Sequence, residues 1–199
     1  MTWDSSSFDA LRAEVEASVR GARPVGGVPF YVYLYDPTEE VRCLRQFEAA
    51  ARALVNAAPR VQTIYLGQIL ERALRGTLYL GAGGKRAEAR DRTALLQELS
   101  RPNGLPSRIT DALLAGIEGV CEPLRGGTQD SCAILLRAGA LFPFVHVSQL
   151  LNALENQTGW TVVIPFPGGR HPEKPETLRL LCETDGPYYR ARIVGERRC

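Results

Sequence analysis

Residues 132–168 read CAILLRAGALFPFVHVSQLLNALENQTGWTVVIPFPG, and the spacing of apolar positions within them decides the fold. Cys132 to Leu136 is apolar at consecutive positions and is bounded by Asp130 and Gly139. A short, unalternating run of that kind suits a strand buried on both faces, as in a parallel sheet. Leu150, Leu151 and Leu154 then fall at helical spacing, with Ser148 as a candidate N-cap. Gly159 interrupts the pattern, and Thr161 to Phe166 forms a second apolar run rich in β-branched residues. Strand, helix and strand in this order make a crossover, so the two strands are expected to lie parallel in one sheet.

Upstream, Phe8, Leu11, Val15 and Val19 predict an amphipathic helix ending near Gly21, followed by the connector GARPVGGVP. Phe30 to Tyr35 (FYVYLY) reads as the first strand. In Asp36-Pro37-Thr38-Glu39, Asp36 suits a cap, Pro37 the first helical position, and Glu39 the return half of a capping box. Val41, Leu44, Phe47, Ala51 and Leu54 continue as one helix face to about Ala57. Val61 to Leu66 predicts a second strand, Gln68 to Arg75 a short helix, and Arg92 to Leu99 another. Ser107 opens a helix with Ile109, Leu113, Ile117 and Val120 on one side, stopping before Pro123.

Downstream, Gly168 to Pro175 reads as a loop, Thr177 to Cys182 as a strand, and Thr184-Asp185-Gly186-Pro187 as a turn. Tyr188 to Val194 then reads as a last strand, antiparallel to its predecessor if they pair. The charged end GERRC is expected to fray. The whole predicts one α/β domain over residues 1–199. It has three layers: helices on both faces of four largely parallel strands, with a C-terminal antiparallel hairpin.

Composition narrows the function. Hydrophobic residues make up 45% of 199, the globular norm, and 24 Lys and Arg against 22 Asp and Glu leave a formal charge of only +2. That balance argues against a nucleic-acid-coating protein. The start has no secretory-signal pattern, and no apolar run approaches the roughly 18 residues of a membrane span. Five scattered cysteines without a CxxC give no framework for disulfides or zinc, so a reduced, cytoplasmic setting and no metal are expected. His146 and His171 are the only imidazoles, and both read as loop or structural residues.

No catalytic motif is present: GxSxG, HExxH and GxGxxG after a strand are all missing. GAGGKR (81–86) invites a phosphate-loop reading, but that register puts Tyr79 where the first glycine belongs and Arg86 where the magnesium hydroxyl belongs. Neither a nucleotide nor another cofactor is therefore expected there. Lys85, Arg86, Arg90 and Arg92 form a basic cluster, diluted by Glu88 and Asp91, so direct nucleic-acid binding is not expected either.

What does converge is the carboxyl edge of the predicted sheet, with Asp36, Arg137, Pro167 and Gly168 as crevice residues of the kind that hold ligands in open α/β sheets. Asp36 reads first as a helix cap and only second as a ligand contact. Arg137 reads as paired with Asp36 or a helix end, or as an anion contact. Ala140 to Val145 (ALFPFV) is apolar where a strand-to-helix loop is usually polar, so it either folds onto the core or presents a partner-binding patch.

The blocks FYVYLYDPTEEVRCLRQF, AILLRAGALFPFVHVSQLLNALE, VVIPFPG, LRLL and YYRARIV, in this order over roughly residues 28–195, resemble the BrxB family of bacteriophage-exclusion (BREX) defence systems. The resemblance implies an intracellular, non-catalytic accessory subunit on a degenerate P-loop-type core without a Walker A motif. It implies partnership with a PglZ-type protein of the alkaline-phosphatase superfamily and with BREX methyltransferase and ATPase components. It carries over no catalytic residue. For an adaptor, the residues expected to meet the partner are Leu141, Phe142, Phe144, Tyr188, Tyr189 and Arg190, since aromatic residues and Arg favour interfaces. The alternative is a small-ligand- or nucleotide-binding protein using the carboxyl-edge crevice.

Overall fold

The computed structural model describes residues 4–22, 29–58, 60–76, 105–126, 128, 130–142, 144–175, 177–188 and 190–199. GAGGKR, the basic cluster and the predicted 92–99 helix lie outside them. The elements are α1 (Ser5–Val19), β1 (Phe30–Tyr35), a 3-10 turn (Pro37–Glu39), α2 (Glu40–Leu54), β2 (Arg60–Tyr65) and α3 (Leu66–Gly76). After them come α4 (Leu105–Cys121), β3 (Ser131–Leu136), a 3-10 turn (Ala138–Leu141), α5 (Val147–Leu154) and β4 (Thr161–Arg170). β5 (Thr177–Leu180), β6 (Thr184–Tyr188) and β7 (Arg192–Val194) complete the chain.

β2, β3, β4, β1 and β7 lie side by side in that order, every neighbouring pair parallel. The predicted crossover is realised, with Cys132 opposite Thr161 and Ile134 opposite Val163. Alternation along the strands sends opposite side chains to opposite faces. Phe30, Val32 and Leu34 join the core beneath α3, α4 and α5, whereas Tyr31, Tyr33 and Tyr35 join the core beneath α1 and α2. Phe8, Tyr33 and Phe47 stack edge to face at 5.1–5.7 Å between centroids, tying α1, β1 and α2 together. The three-layer α/β architecture is as expected.

β4 runs four residues beyond the expected Phe166 despite two prolines. The N–H of Val162 points to β1, donating to Pro29 O at 2.8 Å, so the N–H side of odd-numbered residues faces β3. Pairing with β3 ends at Val163, and the donors missing at Pro165 and Pro167 fall where no ladder exists.

The C-terminal third departs from expectation. The turn lies at Leu181–Glu183, not at Thr184–Pro187: Glu183 N–H donates to Leu180 O at 3.0 Å, and Leu181 and Cys182 both take left-handed φ (54° and 61°). Residues 188–194 are not one strand. Tyr188 ends β6 opposite Thr177, and Arg192–Val194 crosses to pair parallel with Tyr31–Tyr33 as a fifth parallel strand. Residues 195–199 are not frayed: Arg170 N–H donates to Arg197 O at 2.8 Å, and Cys199 N–H to Arg170 O at 3.1 Å. Cys182 and Cys199 form a disulfide that sequence spacing did not suggest. At α5 the cap is His146, whose N–H is taken by Gln149 Oε1 at 2.9 Å, while Ser148 is buried inside the helix.

Candidate functional site

Where β1 ends, the chain turns into the Pro37–Glu39 turn, and the segment after β7 passes alongside. Between them lies a crevice of about 530 Å³, lined chiefly by Asp4, Tyr33, Tyr35, Asp36, Glu39 and residues 195–198. Asp36 is its best-anchored side chain. It accepts from Thr38 Oγ1 at 2.7 Å and Thr38 N–H at 3.0 Å, and it meets Arg197 Nη1 at 2.8 Å. The Thr38 hydrogen bonds, with the Arg197 charge, hold its carboxyl below the ordinary range. The cap is thus real, but the capping box is not: Glu39 instead lies 3.9 Å from Arg42.

Arg137 pairs not with Asp36 but at a helix end, with Glu40 at the start of α2. It adopts a left-handed backbone (φ 62°, ψ 45°), is more than half exposed, and lies 4.0 Å from Glu40, whose carboxylate also accepts the Tyr35 hydroxyl. Pro167 stands opposite Tyr35 in β4. Gly168 pairs with Leu180, and a Cβ there would fall 2.0 Å from Arg179 O, so its missing side chain serves the close approach of β5. Of the four crevice residues expected from sequence, only Asp36 lines the crevice. Glu196, Arg197 and Arg198 line it too and went unread, because their contacts form with residues far away along the chain.

The second set gathers around α5. Leu141 is fully buried in the core. Phe142 and Phe144 are half-buried, packed against that core from a turn held by Phe142 N–H to Gly139 O (3.2 Å) and Phe144 N–H to Leu141 O (3.1 Å). Leu141 is core, as the core reading expected, and the two aromatics pack against that core while keeping part of their surface exposed. Phe142, Val145 and His146 share a crease with Asp185 and Gly186, and at the far end of α5 Arg190 pairs with Glu155. Asp185 and Gly186 thus lie by the start of α5 and Arg190 by its end, and Tyr188 ends β6. Tyr189 lies outside the described residues.

Among the described residues no group of three or more His, Cys, Asp or Glu could hold a metal ion, and no helix is long and apolar enough to cross a membrane. Cys43, Cys121 and Cys132 are free and buried, and burial pushes their thiols up, Cys121 to about 11 and Cys132 to about 12.

A family model described as BREX protein BrxB matches residues 87–194, just over half of the chain. The match contains the Phe142–Phe144 turn, α5 and β3 to β7, whereas Asp36 and GAGGKR precede it. No curated protein and no solved structure matches the chain.

Proposed function

The chain belongs to the BrxB family and is a component of a BREX defence system, and on that premise we propose that it acts as a non-catalytic adaptor docking a PglZ-type protein. The observation that carries the reading is the turn before α5. Phe142 and Phe144 keep part of their surface exposed on a backbone held by hydrogen bonds, so presenting that surface to a partner costs little ordering entropy. Arg190, exposed and paired with Glu155 at the other end of α5, would supply a polar margin. An aromatic centre with an Arg rim is the composition that interface hot spots favour.

Co-purification of a tagged copy with the other BREX proteins tests this reading. A PglZ-type protein should be retained, and Phe142→Ala should reduce its recovery. Retention of other BREX components without the PglZ-type protein would refute the named partner.

The 530 Å³ crevice favours a second reading, a small-ligand site at the end of β1. Its charge decides what would fit. Asp4, Asp36, Glu39 and Glu196 face Arg197 and Arg198, and Arg197 is already engaged by Asp36. A nucleotide's phosphates would meet carboxylates where a phosphate site offers glycine N–H groups and a lysine. The crevice suits a neutral or cationic ligand instead, and calorimetric titration with nucleoside triphosphates should show no binding there.

A further inference from the structure

The segment after β7 is held at both of its faces, and one fastening is chemically reversible. Gly195 (φ 104°) turns the chain out of β7, and residues 196–199 then line up with the far end of β4. The fit there is close: a Cβ on Gly169 would stand 2.8 Å from Cys199 Sγ and 2.9 Å from Arg197 O. Cys199 is bonded to Cys182, a residue of the β5–β6 turn. That turn places left-handed φ on Leu181 and Cys182, a conformation side chains other than glycine's adopt at a cost. The same segment supplies Glu196, Arg197 and Arg198 to the crevice wall and Arg197 to Asp36.

We propose that the Cys182–Cys199 disulfide is a redox latch that closes the crevice at the end of β1. A dithiol reductant opens it by exchange. One of its thiolates attacks a sulfur of the pair, giving a mixed disulfide and releasing the other cysteine as a thiolate that takes up a proton. The reductant's second thiolate then displaces the remaining cysteine, so the dithiol leaves as a disulfide and two protein thiols remain. Both cysteines are partly exposed, whereas Cys43, Cys121 and Cys132 are at most 1% exposed, so exchange is confined to this pair. With the latch open, residues 196–199 keep non-covalent contacts such as the Arg170 backbone hydrogen bonds and the Arg197–Asp36 pair but lose their covalent tie, and the crevice loses a fixed wall. In a reducing compartment the open form is the resting one, and oxidation is the signal. The inference stands independently of the partner reading.

Hydrogen exchange on the chain, oxidised with oxidised glutathione or reduced with dithiothreitol, tests it. Alkylation after denaturation should find three thiols in the oxidised form and all five in the reduced form. The amides of Arg170 and Cys199 should exchange at least tenfold faster when reduced, with Val163 in central β4 unchanged. Cys199→Ser should behave as the reduced form under both conditions, and the wild-type comparison needs no variant. Five alkylated thiols after oxidation, or equal exchange at Arg170 in both forms, would overturn the latch.

Discussion

Arg197 and Asp36 meet at 2.8 Å across the carboxyl end of β1, joining a helix cap near the start of the chain to the segment that follows the last strand. Both side chains are about four-fifths buried, so the pair is shielded from solvent more than a surface salt bridge is. Removing the charge of Asp36 while keeping an acceptor for Thr38 isolates the pair, because Asn caps as well as Asp. Asp36→Asn should cost about 1–3 kcal/mol at neutral pH. Asp36 titrates lower in the folded chain than in the unfolded one. Its contribution is therefore complete above the unfolded value, near 3.8, and is lost as pH falls through the lower folded value. Urea melts across pH should show the deficit of the variant closing in that acid window. A deficit that persists unchanged in strong acid would show that the carboxylate charge is not its source.

Leu135 is fully buried in β3, beneath the α3–α5 layer. Leu135→Asp should cost several kcal/mol and prevent soluble folding, because it leaves an unpaired charge in an apolar layer. A normally cooperative melt for that variant would reject the placement of β3.

Gly168→Ala separates two roles for the Pro167–Gly168 corner. A methyl group there meets Arg179 O at 2.0 Å, so β4 and β5 must move apart. Thermal denaturation should show a loss of about 1–3 kcal/mol or more. Unchanged stability with altered ligand affinity would restore the ligand-contact role that the sequence suggested.

Phe142 is half-buried, so its truncation should cost about 2 kcal/mol of stability, roughly half of the figure for a fully buried Phe. Calorimetric unfolding of Phe142→Ala checks this. A loss of 4 kcal/mol or more would mean a core residue with no surface to offer.

The central sheet was legible because its signals are local. Two unalternating apolar runs flanking a helical repeat fix a parallel crossover, and Asp36-Pro37 followed by a helical apolar repeat marks a helix start. The end of the chain was not legible, for a physical reason. Thr184-Asp185-Gly186-Pro187 has turn-forming composition, yet the turn is made by Leu181 and Cys182, where strand pairing imposes left-handed angles that propensity disfavours. Short, charged 195–199 has no periodicity, and its hydrogen bonds, ion pair and disulfide all reach residues distant along the chain. The same holds at the site. Arg137 and Asp36 both follow a strand at the carboxyl edge, but Arg137 lies by Glu40 and Asp36 pairs with Arg197. The apolar run 140–145 reads from sequence as either core or patch, and its division into buried Leu141 and partly exposed Phe142 and Phe144 depends on packing.

The most direct test of the adaptor reading is the affinity of the folded chain for the PglZ-type protein, measured for the wild type and for Phe142→Ala at matched folded concentration. The account predicts a specific complex that Phe142→Ala weakens by about 30-fold, the equivalent of a hot spot of about 2 kcal/mol. Equal affinity for the two forms, or no complex with the PglZ-type protein at all, would contradict it.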